Sequence, residues 1–197
     1  MAKQSGNKEK LIQAGLSLLS QKPAEEISMD EIAEKAGVTK PMVYYYFGNK
    51  AGFYKYLVEY IEELVSTLIN ESIKSSTNFR GIISYIITKR IELTINQPDL
   101  SNAIRIIATT HTIAGVQARS RLISKFSNLI PIFEKAKNTG EIRADADLHI
   151  TMALTNSLLD GALRIHGQDF FKKINSSEFA NGLTSLIFDG IGTGKRQ

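Results

Sequence analysis

An all-α fold is the class this chain predicts, and three observations predict it. Apolar residues recur three and four apart, as in Leu11, Ala14 and Leu18 or Leu57, Ile61, Leu64 and Leu68, which is the period of an amphipathic helix. Strand-like alternation and hairpin turn sequences are almost missing. With 4 prolines in 197 residues, long uninterrupted helices are possible.

The elements are taken in chain order. A first helix is expected from about Asn7 to Ser20, stopping before Pro23. The second has an explicit start: Ser28 can cap it, Glu31 lies three residues on as the reciprocal partner, and Ile27 and Ile32 flank them as a hydrophobic staple. Gly37 suits the left-handed residue that closes it. Thr39 is placed to cap a third helix, with Val38 and Val43 as its staple and Pro41 tolerated in the first turn. Gly48 ends that helix, and Asn49 can cap a fourth that runs from about Lys50 to Ser75. Two short helices joined by a glycine turn have the layout of a helix-turn-helix. Ser75-Ser76-Thr77-Asn78 closes the fourth helix and reads as a boundary. Further helices are expected near 79–96, 99–115, 118–137, 147–166 and 176–190, with breaks at Gln97-Pro98, Gly115, Asn138-Thr139-Gly140 and Gly167-Gln168. Pro131 should kink or divide the 118–137 segment.

Composition narrows the class. The chain is 43% hydrophobic and 22% charged, which is globular rather than disordered. A formal charge of +4 favours an anionic partner only mildly, and residues 1–50 hold 7 lysines against 6 acidic residues, so any basic patch is local. With no cysteine there are no disulfides and no thiolate metal sites, which fits a reducing compartment. No signal-peptide core and no membrane-length apolar run is visible, so a cytoplasmic location is expected.

The stretch GVTKPMVYYYFGNK, residues 37–50, carries the functional argument. From Gly37 through Val58 there is no carboxylate, although Asp30, Glu31 and Glu34 crowd the residues just before. On a helix turning about 100° per residue, Val43 and Phe47 share one face and can pack inward. Pro41, Met42 and Tyr45 fall opposite, Lys40 and Tyr44 flank on one side, and Tyr46 on the other. An exposed tyrosine, methionine and proline surface needs a partner, and a DNA major groove has the width of a helix. Tyrosine hydroxyls can reach phosphates, their rings can lie on sugars and thymine methyls, and lysines supply salt-dependent attraction. Lys50, with the free N–H groups of the fourth helix's first turn, could hold one phosphate. Taken alone, a tyrosine cluster reads more readily as core or as a protein interface, and VYYYF has strand propensity. Two caps, a glycine turn and an acid-free window in order favour the helix-turn-helix.

Ile32 to Tyr54, IAEKAGVTKPMVYYYFGNKAGFY, resembles the DNA-binding signature of the TetR (tetracycline-repressor) family of bacterial regulators. The shared features are I-A-x-x-A-G-V, Thr39 at the cap, Tyr44-x-Tyr46-Phe47 and Lys50, within a resemblance covering about residues 7–56. The resemblance implies a homodimer with a three-helix DNA-binding domain, residues 1–50. A long helix would join it to a helical ligand-binding and dimerisation domain, residues 51–197. It carries base contacts onto Lys40, Pro41, Met42 and Tyr45, and phosphate contacts onto Ser28, Thr39, Tyr44, Tyr46 and Lys50. Two positions depart from the family pattern: Met42 stands where a small or hydroxylated residue is common, and Ala51-Gly52 where acidic residues are common.

In the second half, residues 147–166 are apolar around most of their circumference. Leu148, Met152, Leu159 and Ala162 lie on one side, and Ile150, Leu154, Leu158 and Ile165 on another. The last helix is similar. One reading makes these helices a dimer interface through Met152, Leu159, Ala162, Leu183 and Leu186; the other makes them intrachain core. A two-fold dimer would call for a near-palindromic operator. An effector pocket needs a few polar groups in an apolar cavity, and Asn102, Arg105, Thr109, His111 and Asn156 interrupt the apolar stretches. Asp160 and Arg164 are spaced as a helix pair. His111, His149 and His166 are scattered, and Asp147 suits a helix cap better than a metal. No cofactor and no metal is expected, and no catalytic constellation or phosphate-cradling loop is present. The sequence therefore reads as a DNA-binding regulator, most simply a ligand-responsive repressor, rather than an enzyme. The rival is a helical sensor or interaction module whose tyrosine surface binds a protein.

Overall fold

Side-chain caps mark where several of these helices begin, and the computed structural model describes residues 2–109, 111, 113–173 and 175–191. Helix α1 spans Ala2–Leu19, followed by a 3-10 turn at Ala24–Glu26, then α2 Met29–Ala36, α3 Lys40–Phe47 and α4 Lys50–Ser75. Next come α5 Phe79–Asn96, α6 Pro98–Thr109, α7 Ile113–Ser124, a 3-10 stretch Lys125–Leu129, α8 Ile130–Asn138, α9 Leu148–Lys173 and α10 Ser176–Ile191. Among the described residues there is no strand, so the fold is all-α as the periodicity predicts. No described helix is long and apolar enough to cross a membrane.

Backbone contacts divide the chain into two compact units, Met1–Val65 with Gln97–Ile123, and Ser66–Asn96 with Ser124–Gln197. This packing division differs from the functional one expected at residues 50 and 51. The sequence of α4 continues past Val65 into the second unit, and α6 joins the first because it packs on α1. Leu100, Ala103 and Ile107 supply its buried face.

In the first unit, Leu11, Leu16 and Leu19 of α1 are fully buried, with Ile32 of α2, Val43 of α3 and Leu57 and Ile61 of α4. Burying a side chain of this size contributes about 1.5–3 kcal/mol, so these residues fix α3 against its supports. Arg121 Nε of α7 lies 2.8 Å from Oε1 of Glu62, a nearly buried carboxylate on α4.

In the second unit, Phe79 packs edge-on against Phe133 at 5.1 Å and lies 6.0 Å from Phe188. Glu141 caps α5, its two carboxylate oxygens accepting the Phe79 and Arg80 N–H groups at 3.1 and 2.7 Å. Asp147 Oδ1 accepts the Ile150 N–H at 2.9 Å, so the capping role read for it holds.

Several boundaries differ from expectation, among them the start of α1, at Ala2 instead of about Asn7. The break falls after Thr109 and not at Gly115, which sits in the first turn of α7. Glycine costs little there, because first-turn N–H groups lack helix partners in any case. The 118–137 segment is divided near Pro131 as expected: the 3-10 stretch splits it and leaves Pro131 in the first turn of α8. Gly167 does not end α9, which continues to Lys173.

Candidate nucleic-acid interface

The local sequence builds a rigid seat for α3. Ser28 Oγ accepts the Glu31 N–H at 3.1 Å, and Glu31 Oε2 accepts the Ser28 N–H at 2.8 Å, completing the capping box. Lys22 Nζ donates to Glu31 Oε1 at 2.5 Å. The Lys22 bond first, and then the two Ser28 bonds, hold the Glu31 carboxyl at about 2, down from 4.5. Gly37 closes α2 at φ 65°, and its N–H reaches back to the Ala33 and Glu34 carbonyls.

Val43 and Phe47 face inward, as their spacing predicts. The Phe47 ring packs edge-on to Phe53 at 4.8 Å and lies 5.3 Å from Tyr56, tying α3 to α4. Gly52 is required by this packing. A Cβ there would stand 2.1 Å from the Phe47 carbonyl oxygen. Asn49 Oδ1 accepts the Gly52 N–H at 2.9 Å, capping α4.

The opposite face of α3 is open. Tyr45 is 76% exposed and Tyr44 42%, Lys40 and Pro41 are exposed, and Met42 and Tyr46 are half-buried. The Tyr45 and Tyr46 rings meet edge-on at 5.3 Å. Thr39 stands at the cap position in extended backbone, but its side chain makes no capping bond. The reason is local: Pro41 has no N–H, and the Met42 N–H bonds to the Thr39 carbonyl instead, at 2.9 Å. Lys50 Nζ donates to the Glu25 carbonyl at 2.5 Å, beside the first turn of α4. An ammonium has three donors, so the same group can also serve a phosphate.

The profile of the bacterial regulatory proteins of the tetR family matches residues 11–57, the segment that forms α1 to α3 and the start of α4. Over residues 11–57 the chain belongs to the tetR family of bacterial regulatory proteins. Among curated proteins it is similar to the nucleoid occlusion factor SlmA of Marinomonas sp. (strain MWYL1), 26% identical over 120 residues. That match takes in 61% of this chain and 59% of the relative, less than two thirds of that protein's length. Among solved structures it is similar to the transcriptional regulator FadR of Bacillus subtilis, crystallised with stearoyl-CoA, with a TM-score of 0.77 and 18% identity over 93% of this chain and 99% of that one. A tetR-family transcription regulator of Marinobacter aquaeolei VT8 superposes with a TM-score of 0.80 and 14% identity, covering 97% and 98% of the two chains. At such identities the structures share the fold.

The tetR-family helix-turn-helix brings Ser28, Thr39, Lys40, Pro41, Met42, Tyr44, Tyr45, Tyr46 and Lys50 onto α3 and the helix starts around it. The other expected groups are more dispersed. Asn102, Arg105, Thr109 and His111 belong to the first unit, and Asn156 to the second. Thr109 Oγ1 bonds to the Arg105 carbonyl of its own helix at 2.9 Å. Asn156 Oδ1 accepts from Arg90 of α5, which also meets Asp160 at 2.9 Å. Arg90 thus partners Asp160, while the expected partner Arg164 lies outside the residues whose side chains are described.

Of the expected dimer residues, Met152, Leu159 and Leu183 are buried within the second unit, Ala162 is half-buried, and Leu186 is 71% exposed. Among the described residues, the large apolar side chains that α9 leaves open are those of the other stripe, Ile150, Leu154, Leu158 and Ile165. Sequence reasoning also missed Asp30, whose carboxylate pairs with Lys40 at 2.8 Å. Lys8, 4.1 Å from the Tyr56 ring centroid, was missed too.

Proposed function

We propose that this tetR-family chain is a DNA-binding transcriptional regulator, a ligand-responsive repressor that reads a near-palindromic operator as a homodimer. The observation that carries the reading is α3 itself: anchored inward by Val43 and Phe47, it exposes Tyr45 beside Lys40, Pro41 and Tyr44. Residues 1–50 serve DNA, with base contacts at Lys40, Pro41, Met42 and Tyr45 and phosphate contacts at Ser28, Thr39, Tyr44, Tyr46 and Lys50. Residues 51–197 serve the effector and the partner subunit. Asn102, Arg105, Thr109, His111 and Asn156 are the effector candidates. The exposed α9 stripe with Leu186 is the dimer face that burial favours. Effector binding would act only as far as it prefers one spacing of the two reading heads.

The test is titration of the purified protein against the DNA flanking its own coding region at two salt concentrations, with Tyr45→Ala alongside. Tight binding that weakens steeply with salt and is lost in Tyr45→Ala supports the reading. Binding to no DNA, including duplexes selected from random sequence, would assign the tyrosine face to a protein instead. Stearoyl-CoA, bound in the B. subtilis FadR structure, is the first effector to add. The name of the Marinomonas relative favours a second reading, in which DNA binding serves nucleoid occlusion. Genome-wide mapping separates the two: a few sites beside regulated genes support the repressor, and many dispersed sites support the other.

A further inference from the structure

The acid-free window from Gly37 to Val58 keeps carboxylates out of the sequence around α3. The fold returns one. Asp30, in the first turn of α2, faces Lys40, the first residue of α3. The Lys40 ammonium lies 2.8 Å from Oδ1 and 2.9 Å from Oδ2, so it sits across both carboxylate oxygens. Both side chains are more than half exposed, at 65% and 51%. The hydrogen bond to Asp30, and then its charge, raise the Lys40 pKa, so the lysine stays cationic.

An ion pair this open to water adds little to stability. Its consequence lies in what Lys40 can do next. A phosphate that takes the ammonium must bring a second anion against Asp30 or break the pair. A neutral base acceptor, such as guanine O6 or N7, can use a remaining N–H donor while Asp30 keeps its place. Binding to arbitrary sequence rests almost wholly on phosphate attraction, so the carboxylate burdens it fully. Binding to a matched site also has base-edge contacts to offset the same burden.

We infer that Asp30 is a positioning residue for sequence readout: it holds Lys40 for a base acceptor and penalises its use on phosphate. This rests on the DNA-binding reading above. It adds a specificity residue that lies outside the α3 surface and carries the opposite charge.

Affinities of wild type and Asp30→Asn for a duplex selected from random DNA and for a scrambled duplex of equal length, each across a salt series, test it. Asp30→Asn should bind the scrambled duplex about fivefold more tightly, the scale of one charge contact in water. On that duplex the slope of log K against log salt should steepen by about 0.9, one more phosphate contact. The selected duplex should change by less than about twofold, so the specificity ratio falls. In a Lys40→Ala background the scrambled-duplex gain should disappear. Equal gain on both duplexes would reduce Asp30 to bulk charge and overturn the inference, as would no change on either. If Asp30→Asn fails to fold, Lys40→Gln examines the same contact from the other side. It should lose more affinity for the selected duplex than for the scrambled one, and an equal loss on both overturns the inference. Wild type that binds neither duplex sinks the DNA-binding reading itself, a result distinct from the others.

Discussion

Glu31 joins two pieces of the N-terminal unit, because one carboxylate caps the start of α2 through Ser28 and pairs with Lys22 beyond α1. Its folded-state pKa is depressed, to about 2 from 4.5. The stability it contributes is therefore complete above about 4.5 and lost as pH falls through the window down to 2. Urea unfolding across that window should show wild type losing stability more steeply than Glu31→Gln, which keeps a capping oxygen but has no proton to take up there. Parallel slopes would mean that the charged form gains nothing from folding. The capping box was legible in the sequence because its parts lie three residues apart and obey a local rule. The Asp30–Lys40 pair, ten residues apart, and the Lys50–Glu25 carbonyl bond, 25 apart, were not. They depend on where tertiary packing brings the 3-10 turn and α2, and no local spacing encodes that. The empty cap at Thr39 was misread for a local reason: the proline rule and the capping rule were each satisfied, yet Pro41 removes a donor that the cap would use.

At the level of elements, α3 and α4 meet at one tight point, the Phe47 carbonyl against Gly52. Sequence marked Gly52 only as a departure from the family pattern, since a glycine in a first turn has no periodic signature. The contact explains it: any Cβ collides with backbone, which cannot rotate away as a side chain can. Gly52→Ala should cost about 1–3 kcal/mol, the usual range for overpacking, read by chemical unfolding. It should also weaken DNA binding beyond that loss of folded protein, because relieving the clash moves α3. A variant as stable as wild type with unchanged affinity would show that the junction is softer than its geometry implies. The same logic separates the glycines that ended helices from those that did not. Gly37 and Gly48 adopt φ 65° and 75° and terminate α2 and α3, whereas Gly115 lies within α7. Composition alone does not distinguish these roles, because a glycine's conformation depends on the residues after it and on the packing they find.

For the whole molecule, the open question in the sequence was whether α9 and α10 form a dimer interface or intrachain core. A helix apolar around most of its circumference can bury either stripe, so periodicity left both. Packing on α5 and α10 chose the side of Leu148, Met152 and Leu159. The stripe left open, Ile150, Leu154, Leu158 and Ile165, keeps spacings of four and seven residues, the repeat of a helix–helix seam. An exposed apolar row of this regularity is costly in water unless a second surface covers it. A second copy of the chain related by a two-fold axis would bring the same stripe to itself. Leu158→Glu places a charge in that seam at a position 48% exposed in the single chain, so each subunit should still fold. Sedimentation should then report monomer. Affinity for a palindromic duplex should fall about a hundredfold or more, because the second half-site is no longer held close by the first, while affinity for an isolated half-site persists. Met152→Glu is the contrast, since Met152 is 5% exposed and belongs to the subunit's own core. It should lower the unfolding free energy rather than simply release monomers. If Leu158→Glu remains a dimer with full palindrome affinity, the seam lies elsewhere and the exposed row of α9 faces a different partner.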